Sequence, residues 1–259
     1  MGVDARVADQ VAVVTLDWPP HNYLTTDRLR LLADLLDELD LDPDCRAVVL
    51  QAEGTAFCGG ADPAGLQAMR ADGESNDPSS APDQFYVQAA RLFATRKPIV
   101  VAVGGAAVGA GLGLAMIGDF RIGSTQSWFA ANFVKLGFHP GFGLTHTLPR
   151  LIGAQRAADM LLRGTRVDAE QARHDGLLDA VATPQSLRAE ALARAVELAG
   201  NAPLAVQQTR ATMRADLADA VRLHTANEWR EQRRLMRTAD FDEGVRAAIE
   251  RRPAAFEGR

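Results

Sequence analysis

Two short segments rich in glycine and alanine carry the residues with the clearest chemical potential. The first covers residues 56–62 (AFCGGAD) and follows a predicted strand, and the second covers residues 104–113 (GGAAVGAGLG) and joins a predicted strand to a helix. Small residues let another group approach the backbone closely, and a helix N-terminus presents N–H groups without intrahelical acceptors. Two such N–H groups directed at one carbonyl oxygen form an oxyanion hole. As an alternative to an oxyanion hole, the same glycines could simply allow a helix to pack tightly on a sheet.

The sequence disfavours a nucleotide cofactor and a metal centre. Residues 109–113 do not form the GxGxxG pattern of dinucleotide-binding turns, and their strand lies in the middle of the chain. Cys45 and Cys58 are far apart and belong to no CxxC or Cys/His cluster. We therefore expect no metal site, no separate cofactor and two reduced thiols, as is usual in the cytoplasm.

Composition narrows the classes of partner. The chain has 259 residues, of which 47% are hydrophobic, and a formal net charge of -5. This charge disfavours general nucleic-acid binding, which requires a basic excess. The first ten residues lack the basic start and apolar stretch of a secretory signal, and no apolar run approaches about 18 residues. We expect a cytoplasmic protein without membrane or nucleic-acid partners.

The predicted elements alternate between strands and helices, which favours an α/β fold with a mainly parallel sheet. Strands are predicted at residues 11–18, 47–53, 99–107, 119–125 and 179–183, with a helix at 26–40 capped by Thr26. Helices follow at 185–200, 203–214, 216–238 and 240–250. The pattern predicts a core over residues 1–200 and a helical region over 201–259. The polar residues 70–83 are predicted to be a mobile loop, either a lid or a tolerated insertion.

Taken together, these segments resemble the crotonase (enoyl-CoA hydratase/isomerase) family. Residues 56–62 are similar to its motif A-F-C-A-G-A-D, and residues 104–119 are similar to its motif N-G-x-A-x-G-G-G-x-x-L-A-x-x-C-D. Further landmarks are Lys97-Pro98, LLRG at 161–164 and the terminal RRPAAFEGR. The resemblance extends over nearly the whole chain.

The resemblance implies a crotonase-like stack of ββα units with a C-terminal helical region that covers the site and joins a homotrimer or a dimer of trimers. It implies that the backbone N–H groups of Ala61 and Ala110 hold the thioester carbonyl of an acyl-CoA and stabilise its enolate. Coenzyme A enters as part of the substrate. The substrate-binding positions implied by the same motifs are Gly60, Asp62, Leu66, Gly109, Gly113, Phe133 and Phe138.

The chain departs from the family at its acid–base positions. The family's hydratases carry glutamates where this sequence has Gly113 and Phe133, and a subgroup carries an aspartate where it has Gly141. Neither glycine nor phenylalanine transfers protons, so restoring both glutamates is predicted to raise a weak hydration rate. His139 is the nearest candidate base and His146 is a second one, with structural histidines as the alternative.

The sequence thus predicts a protein of the enoyl-CoA hydratase/isomerase type that binds acyl-CoA thioesters and in which ordinary hydratase activity is weak. Two other functions stay open, a non-catalytic acyl-CoA-binding protein and a CoA-independent β-dicarbonyl hydrolase. A basic patch for the CoA phosphates would separate the first two from the third, and the arginines and Lys97 are its candidates.

Overall fold

Ten strands lie within residues 2–62 and 81–259, the part of the chain that the computed structural model describes. A six-stranded sheet has the order β1-β2-β3-β5-β7-β10 and a four-stranded sheet has the order β4-β6-β8-β9. The strands are β1 (Gly2–Ala8), β2 (Val11–Asp17), β3 (Ala47–Ala52), β4 (Ala56–Cys58), β5 (Ile99–Val103), β6 (Ala106–Val108), β7 (Phe120–Ser124), β8 (Trp128–Ala130), β9 (Arg166–Asp168) and β10 (Ala180–Ala182).

Helices connect these strands and then form the C-terminal region. They are α1 (Thr26–Leu41), α2 (Ala81–Phe93), α3 (Ala110–Ala115), α4 (Leu144–Arg163), α5 (Ala169–His174), α6 (Leu187–Ala199), α7 (Pro203–Met213), α8 (Leu217–Leu235) and α9 (Ala239–Glu250), with a 3₁₀ helix at Asn132–Leu136. The four helices predicted after residue 184 are confirmed within two or three residues at each end.

The chain winds through both sheets in repeated turns. Strands β3, β5, β7 and β10 are parallel neighbours in the larger sheet, and β4, β6 and β8 are parallel neighbours in the smaller one. Each turn therefore places one strand in each sheet before the chain moves on. This arrangement confirms the predicted α/β stack of ββα units.

Continuous burial explains the order of the central strands. All of β5 (IVVAV) and nearly all of β3 (AVVLQA) are buried, as expected for parallel strands covered on both faces. One face packs on α6, whose Ala191, Ala195 and Ala199 let the helix approach the sheet closely. The other face carries α1, where Leu29 and Leu32 are fully buried.

Two local predictions are wrong, and one strand has no counterpart among the predictions. Residues 2–8 form β1, which pairs with β2 through a hairpin at Asp9 and Gln10, both at positive φ. The predicted strand over 99–107 is interrupted at Gly104 and Gly105. The cap of α1 is Thr25, whose side chain accepts a hydrogen bond from the Arg28 N–H, because Thr26 is already helical.

The predicted mobile segment over residues 70–83 lies mostly outside the described residues. Residues 70–80 lie outside the described residues, whereas 81–83 belong to the first turn of α2. The helix therefore begins inside the predicted segment. In the described ranges, no helix combines the length and the apolar character needed to cross a bilayer.

Asp119 fixes α7 to the larger sheet. Its carboxylate accepts hydrogen bonds from the Ile99 N–H at 2.8 Å, from Arg210 Nε at 2.7 Å and from Arg214 Nη1 at 3.0 Å. Arg210 is itself buried. This aspartate, part of the second glycine motif, has a structural role.

We expect Asp119→Ala to lower the free energy of unfolding by about 3–5 kcal/mol, because it leaves buried guanidinium groups without their counter-charge. Urea unfolding at a fixed protomer concentration measures this loss. Asp219→Ala is the matched control, since its ion pair with Arg222 is about three-quarters exposed on both sides and should cost under about 1 kcal/mol. Equal losses in the two variants would contradict the prediction.

Candidate active site

The turn after β4 directs the Ala61 N–H away from the adjacent segment that contains Leu24. The Leu24 N–H donates to the Gly60 carbonyl at 2.8 Å, and the Asp62 N–H donates to the Leu24 carbonyl at 3.0 Å. Leu24 and Ala61 thus form a parallel bridge. In such a bridge the residue between the two bonded groups directs its own N–H to the opposite side. The Ala61 N–H therefore points away from Leu24.

Ala110 supplies the second backbone donor. It is the first residue of α3, and its N–H consequently lacks an intrahelical acceptor. The preceding Gly109 has φ 55° and ψ -119°, a conformation available to glycine but strained for other residues. Gly111 packs so closely on β4 that a Cβ there would overlap the Cys58 carbonyl. Gly109 therefore sets the direction of the backbone at the start of α3, and Gly111 allows α3 to pack closely on β4.

The two glycine turns meet at one cavity of about 600 Å³. Gly60 lies against the second turn, because a Cβ at Gly60 would stand 2.8 Å from the Val108 carbonyl oxygen and 3.7 Å from the Ala110 nitrogen. Both Ala61 and Ala110 line the cavity. The fold therefore brings together the two residues whose backbone N–H groups are predicted to donate hydrogen bonds to a ligand carbonyl.

Aromatic and aliphatic side chains form most of the cavity wall. Phe133 and Phe138, two of the predicted substrate-binding residues, line it and contact each other edge to face, with ring centroids 5.5 Å apart. The C-terminal helices contribute Gln232 from α8, and Val245 and Ile249 from α9. This wall suits an apolar ligand group.

Gly113 is buried beneath Phe142 and does not line the cavity. A Cβ at Gly113 would lie 2.6 Å from the Cβ, Cγ and Cδ1 atoms of Phe142. Phe142 is fully buried at φ 61° and does line the cavity. The position that matches the family's first glutamate therefore has no space for a side chain while Phe142 is present.

The predicted histidine bases lie outside the cavity wall. Nδ1 of His139 is 2.7 Å from the carbonyl oxygen of Pro140. His146 stacks on His224, with ring centroids 4.6 Å apart, and burial lowers its pKa, assisted by His224 and Arg150. Among the described residues that line the cavity, only Tyr23 and Tyr86 have titratable side chains.

Several other sequence candidates also lie away from the cavity. Asp62 is adjacent to Ala61 but is not in the wall, and Leu66 lies outside the described residues. Lys97 is buried, and its Nζ donates to the backbone carbonyls of Asp42 and Cys45, so it is not available for CoA phosphates. Burial raises the pKa of the Cys58 thiol to about 12, which removes it as a nucleophile.

A larger groove of about 740 Å³ lies on another face, between α7 and the β7 strand. It contains no residue of 56–62 or 104–113. Its central charges, Asp119, Arg210 and Arg214, bind one another as described above. The smaller cavity, which both Ala61 and Ala110 line, is therefore the candidate active site.

Glu228 on α8 fixes the segment that carries Phe142. Its carboxylate accepts hydrogen bonds from the N–H groups of Gly143 and Thr145, at 2.8 and 3.1 Å, and from the Thr145 hydroxyl at 2.5 Å. Burial raises the pKa of Glu228, and these hydrogen bonds offset part of that effect. The folded protein therefore holds this proton more tightly than the unfolded chain.

This shift predicts a pH dependence of stability. The contribution of Glu228 should be present in full below the unfolded pKa of about 4.3 and should be lost as pH rises through the higher folded pKa. The free energy of unfolding of wild type minus that of Glu228→Gln should thus fall as pH rises from the unfolded pKa through the higher folded pKa. Exposed Glu170→Gln serves as the control. A difference that stays constant or rises would overturn the assignment.

The cavity also contains residues that sequence analysis missed. Tyr86 comes from α2 and Gln232 from α8, and Asn132 comes from the 3₁₀ helix. No motif marks them, because each belongs to an element whose position depends on tertiary packing. In the sequence, each of them is simply a polar residue within a predicted or observed helix, and nothing there distinguishes it from the solvent-exposed polar residues.

Two backbone N–H groups, one at the start of a helix and one after a strand, thus lie at an apolar cavity in a stack of ββα units. The sequence profile of enoyl-CoA hydratase/isomerase matches residues 6–259. The chain belongs to the enoyl-CoA hydratase/isomerase family, also called the crotonase family.

Individual relatives agree with this membership. A Thermus thermophilus protein named as a candidate enoyl-CoA hydratase is 36% identical, over 95% of this chain and 97% of its own length. An enoyl-CoA hydratase/isomerase structure from Pseudoalteromonas atlantica has a TM-score of 0.86 at 28% identity and covers 99% of this chain and 100% of that one. An enoyl-CoA hydratase structure from Mycobacterium avium has a TM-score of 0.84 at 26% identity, covering 99% of each chain.

Proposed function

We propose that the protein binds acyl-CoA thioesters and polarises the thioester carbonyl between the backbone N–H groups of Ala61 and Ala110. The observation that carries this proposal is the convergence of both residues on one apolar cavity. Preorganised donors stabilise the negative charge that develops on the oxygen when an enolate forms. Family membership supports the acyl-CoA as the ligand class.

The proton chemistry of the site differs from that of a two-glutamate hydratase. Gly113 and Phe133 occupy the matching positions, and the described cavity wall contributes two tyrosines as its titratable groups. Hydration of a simple enoyl-CoA should therefore be slow. Because the described wall has so few titratable groups, a second candidate function is the binding of acyl-CoA without turnover.

Calorimetric titration with crotonyl-, octanoyl- and decanoyl-CoA tests the proposal. We expect a Kd in the micromolar range, about -8 kcal/mol, for the longer chains and weaker binding of free CoA. A parallel turnover screen of the same thioesters separates the enzyme from the binding protein. No heat with any acyl-CoA, together with cleavage of free β-diketones, would replace the proposal by a CoA-independent hydrolase.

We further propose that the C-terminal helices join copies of the chain as a homotrimer or a dimer of trimers. Large apolar side chains on these helices are exposed in the single chain, including Leu204 at 73%, Met213 at 76% and Leu223 at 72%. Light scattering at micromolar concentration should give a multiple of three protomers, and a monomer would contradict this assembly. The cytoplasm is the proposed compartment, supported by unpaired Cys45 and Cys58.

A further inference from the structure

Two arginines that line the larger groove, between α7 and β7, have N–H groups without hydrogen-bond partners. Arg210 is 8% exposed, and its buried Nη2 has no acceptor among the described residues. The side chain of Arg214 is 14% exposed, and its buried Nε and Nη2 have no acceptor there either. Buried N–H groups that stay unpaired are costly, and more so when they carry charge. The two guanidinium groups are therefore only partly satisfied by the protein.

The nearby acceptors are already used by the other nitrogens of these side chains. Asp119 accepts from Arg210 Nε at 2.7 Å and from Arg214 Nη1 at 3.0 Å. The Thr95 carbonyl accepts from Arg210 Nη1, and the Ile117 carbonyl accepts from Arg214 Nη1 at 3.0 Å. The unused donors are thus Arg210 Nη2 and both nitrogens on one edge of Arg214.

This free edge of Arg214 has the geometry that binds a carboxylate. Nε and Nη2 of an arginine lie side by side in the plane of the guanidinium and donate two parallel hydrogen bonds to the two oxygens of one carboxylate. The rigid fork makes arginine better suited than lysine to this recognition. An acceptor with two coplanar oxygens would satisfy both nitrogens of Arg214 at once.

The charged groups around this edge leave one positive charge without a counter-charge. Three guanidinium groups belong to the cluster, those of Arg121, Arg210 and Arg214. Among the described residues, two carboxylates pair with them, those of Asp119 and Asp179. Burial, assisted by Arg210, lowers the pKa of Arg214, and Asp119 offsets only part of this effect. A ligand with a single negative charge would balance the cluster.

The rest of the groove is mainly apolar and has room for an aliphatic chain. Its volume is about 740 Å³, which lies within the roughly 300–1,000 Å³ of small-molecule sites. Met116, Leu151, Leu198 and Val206 contribute to its walls, and the exposed Arg150 adds another positive charge. An apolar groove beside an unbalanced guanidinium is complementary to a molecule with an anionic head and an apolar tail.

We propose that this groove is a second binding site, separate from the candidate active site, for an unesterified carboxylate with an aliphatic chain. The carboxylate accepts hydrogen bonds from Arg214 Nε and Nη2 and lies beside Arg210 Nη2, and the chain packs on the apolar walls. Neither glycine turn lines the groove. Binding there is therefore independent of the proposed acyl-CoA function.

Calorimetry with octanoate and three matched probes tests the inference. Octanol keeps the chain without the charge, octylammonium reverses the charge, and acetate keeps the carboxylate without the chain. We expect octanoate to bind at least about tenfold more tightly than each of the three, because hydrogen bonds to charged groups contribute about 1.5–3 kcal/mol. An excess of decanoyl-CoA should leave the Kd of octanoate unchanged. Equal affinity for octanoate and octanol, or competition by decanoyl-CoA, would overturn the inference.

Variants of the groove locate the bound carboxylate. Arg214→Met removes both donors of the free edge and should weaken octanoate binding by at least about tenfold. Val206→Trp fills the groove, leaves the arginines in place, and serves if Arg214→Met does not fold. Arg222→Met on α8 is the matched control, since its side chain is 73% exposed, and it should bind octanoate like wild type. Octanoate binding that survives both Arg214→Met and Val206→Trp would contradict the site.

Light scattering on the same samples separates this ligand from an acidic side chain of a second copy. We expect the molar mass of wild type to stay the same with and without octanoate, and Arg214→Met to keep the wild-type mass. Loss of assembly in Arg214→Met, together with no octanoate binding by wild type, would show that a second copy completes the cluster. That result would overturn the inference.

Discussion

Wild-type protein is expected to hydrate crotonyl-CoA several orders of magnitude more slowly than family members with both glutamates. Hydration needs a water activated on one side of the double bond and a proton delivered to the α-carbon. Positioned acid–base groups contribute about 10² to 10⁴-fold each. Gly113 and Phe133 supply neither group, whereas the backbone donors at Ala61 and Ala110 are retained. Binding of the thioester should persist while turnover is lost.

Phe142 obstructs the rescue of hydration by restored glutamates. The sequence predicts that Gly113→Glu together with Phe133→Glu raises the rate. Phe142 fills the space beside Gly113, and a side chain there would meet its ring at 2.6 Å. The double variant should therefore remain nearly inactive and lose stability by about 1–3 kcal/mol through overpacking. Adding Phe142→Gly opens the space and suits the φ of 61° at that position.

We expect the triple variant Gly113→Glu/Phe133→Glu/Phe142→Gly to hydrate crotonyl-CoA faster than the double variant and faster than Phe142→Gly alone. The absorbance of the enoyl thioester follows the rate, and urea unfolding follows stability. His139→Ala in the wild-type background tests the remaining histidine candidate. Wild type could instead turn over crotonyl-CoA at about 10 s⁻¹, the median for enzymes, and His139→Ala could leave that rate unchanged. These two results together would show that another group performs the proton transfer.

Ala110→Pro should abolish the second backbone donor with little damage to α3. Proline is well tolerated at the first position of a helix, because the N–H there has no intrahelical acceptor. The preceding residue, Gly109, has φ 55° and ψ -119°. This is the mirror image of the extended conformation that residues before proline prefer. Glycine has no Cβ and adopts both mirror forms about equally, so Gly109 is compatible with a following proline. Loss of one oxyanion donor typically costs about 10² to 10³-fold in rate. For any acyl-CoA that the screen finds to be turned over, we expect a loss of that size.

Ala110→Gly is the matched control, since it keeps the N–H and changes only the methyl group. It should retain turnover within about tenfold of wild type, because a small cavity costs about 1 kcal/mol or less. Circular dichroism and urea unfolding establish that both variants fold. Equal activity of folded Ala110→Pro and wild type would remove Ala110 from the proposed site.

The backbone part of the site was predictable because short local patterns encode it. Residues 56–62 and 104–113 place small residues after buried strands, and the parallel fold brings neighbouring strand ends together. The run IVVAV at β5 and the apolar β3 are typical of strands covered on both faces. These features depend on residues close in sequence.

The side-chain part of the site was not predictable, because it depends on contacts between distant elements. Tyr86 and Gln232 are 146 residues apart and meet only when α2 packs on α8. The obstruction of Gly113 depends on the backbone conformation of Phe142 in a later turn. His139 is a candidate base by residue type and by its place in the sequence, neither of which specifies where the side chain lies.

The absorbance spectrum of bound cinnamoyl-CoA tests the central claim most directly, since its conjugated carbonyl reports polarisation without any proton transfer. Hydrogen bonds from Ala61 and Ala110 draw electron density toward the carbonyl oxygen. We predict that the absorption band shifts to longer wavelength on binding to wild type and Ala110→Gly, and shifts much less with Ala110→Pro. Saturable binding of cinnamoyl-CoA with an unshifted band in wild type would contradict an oxyanion hole at these two residues.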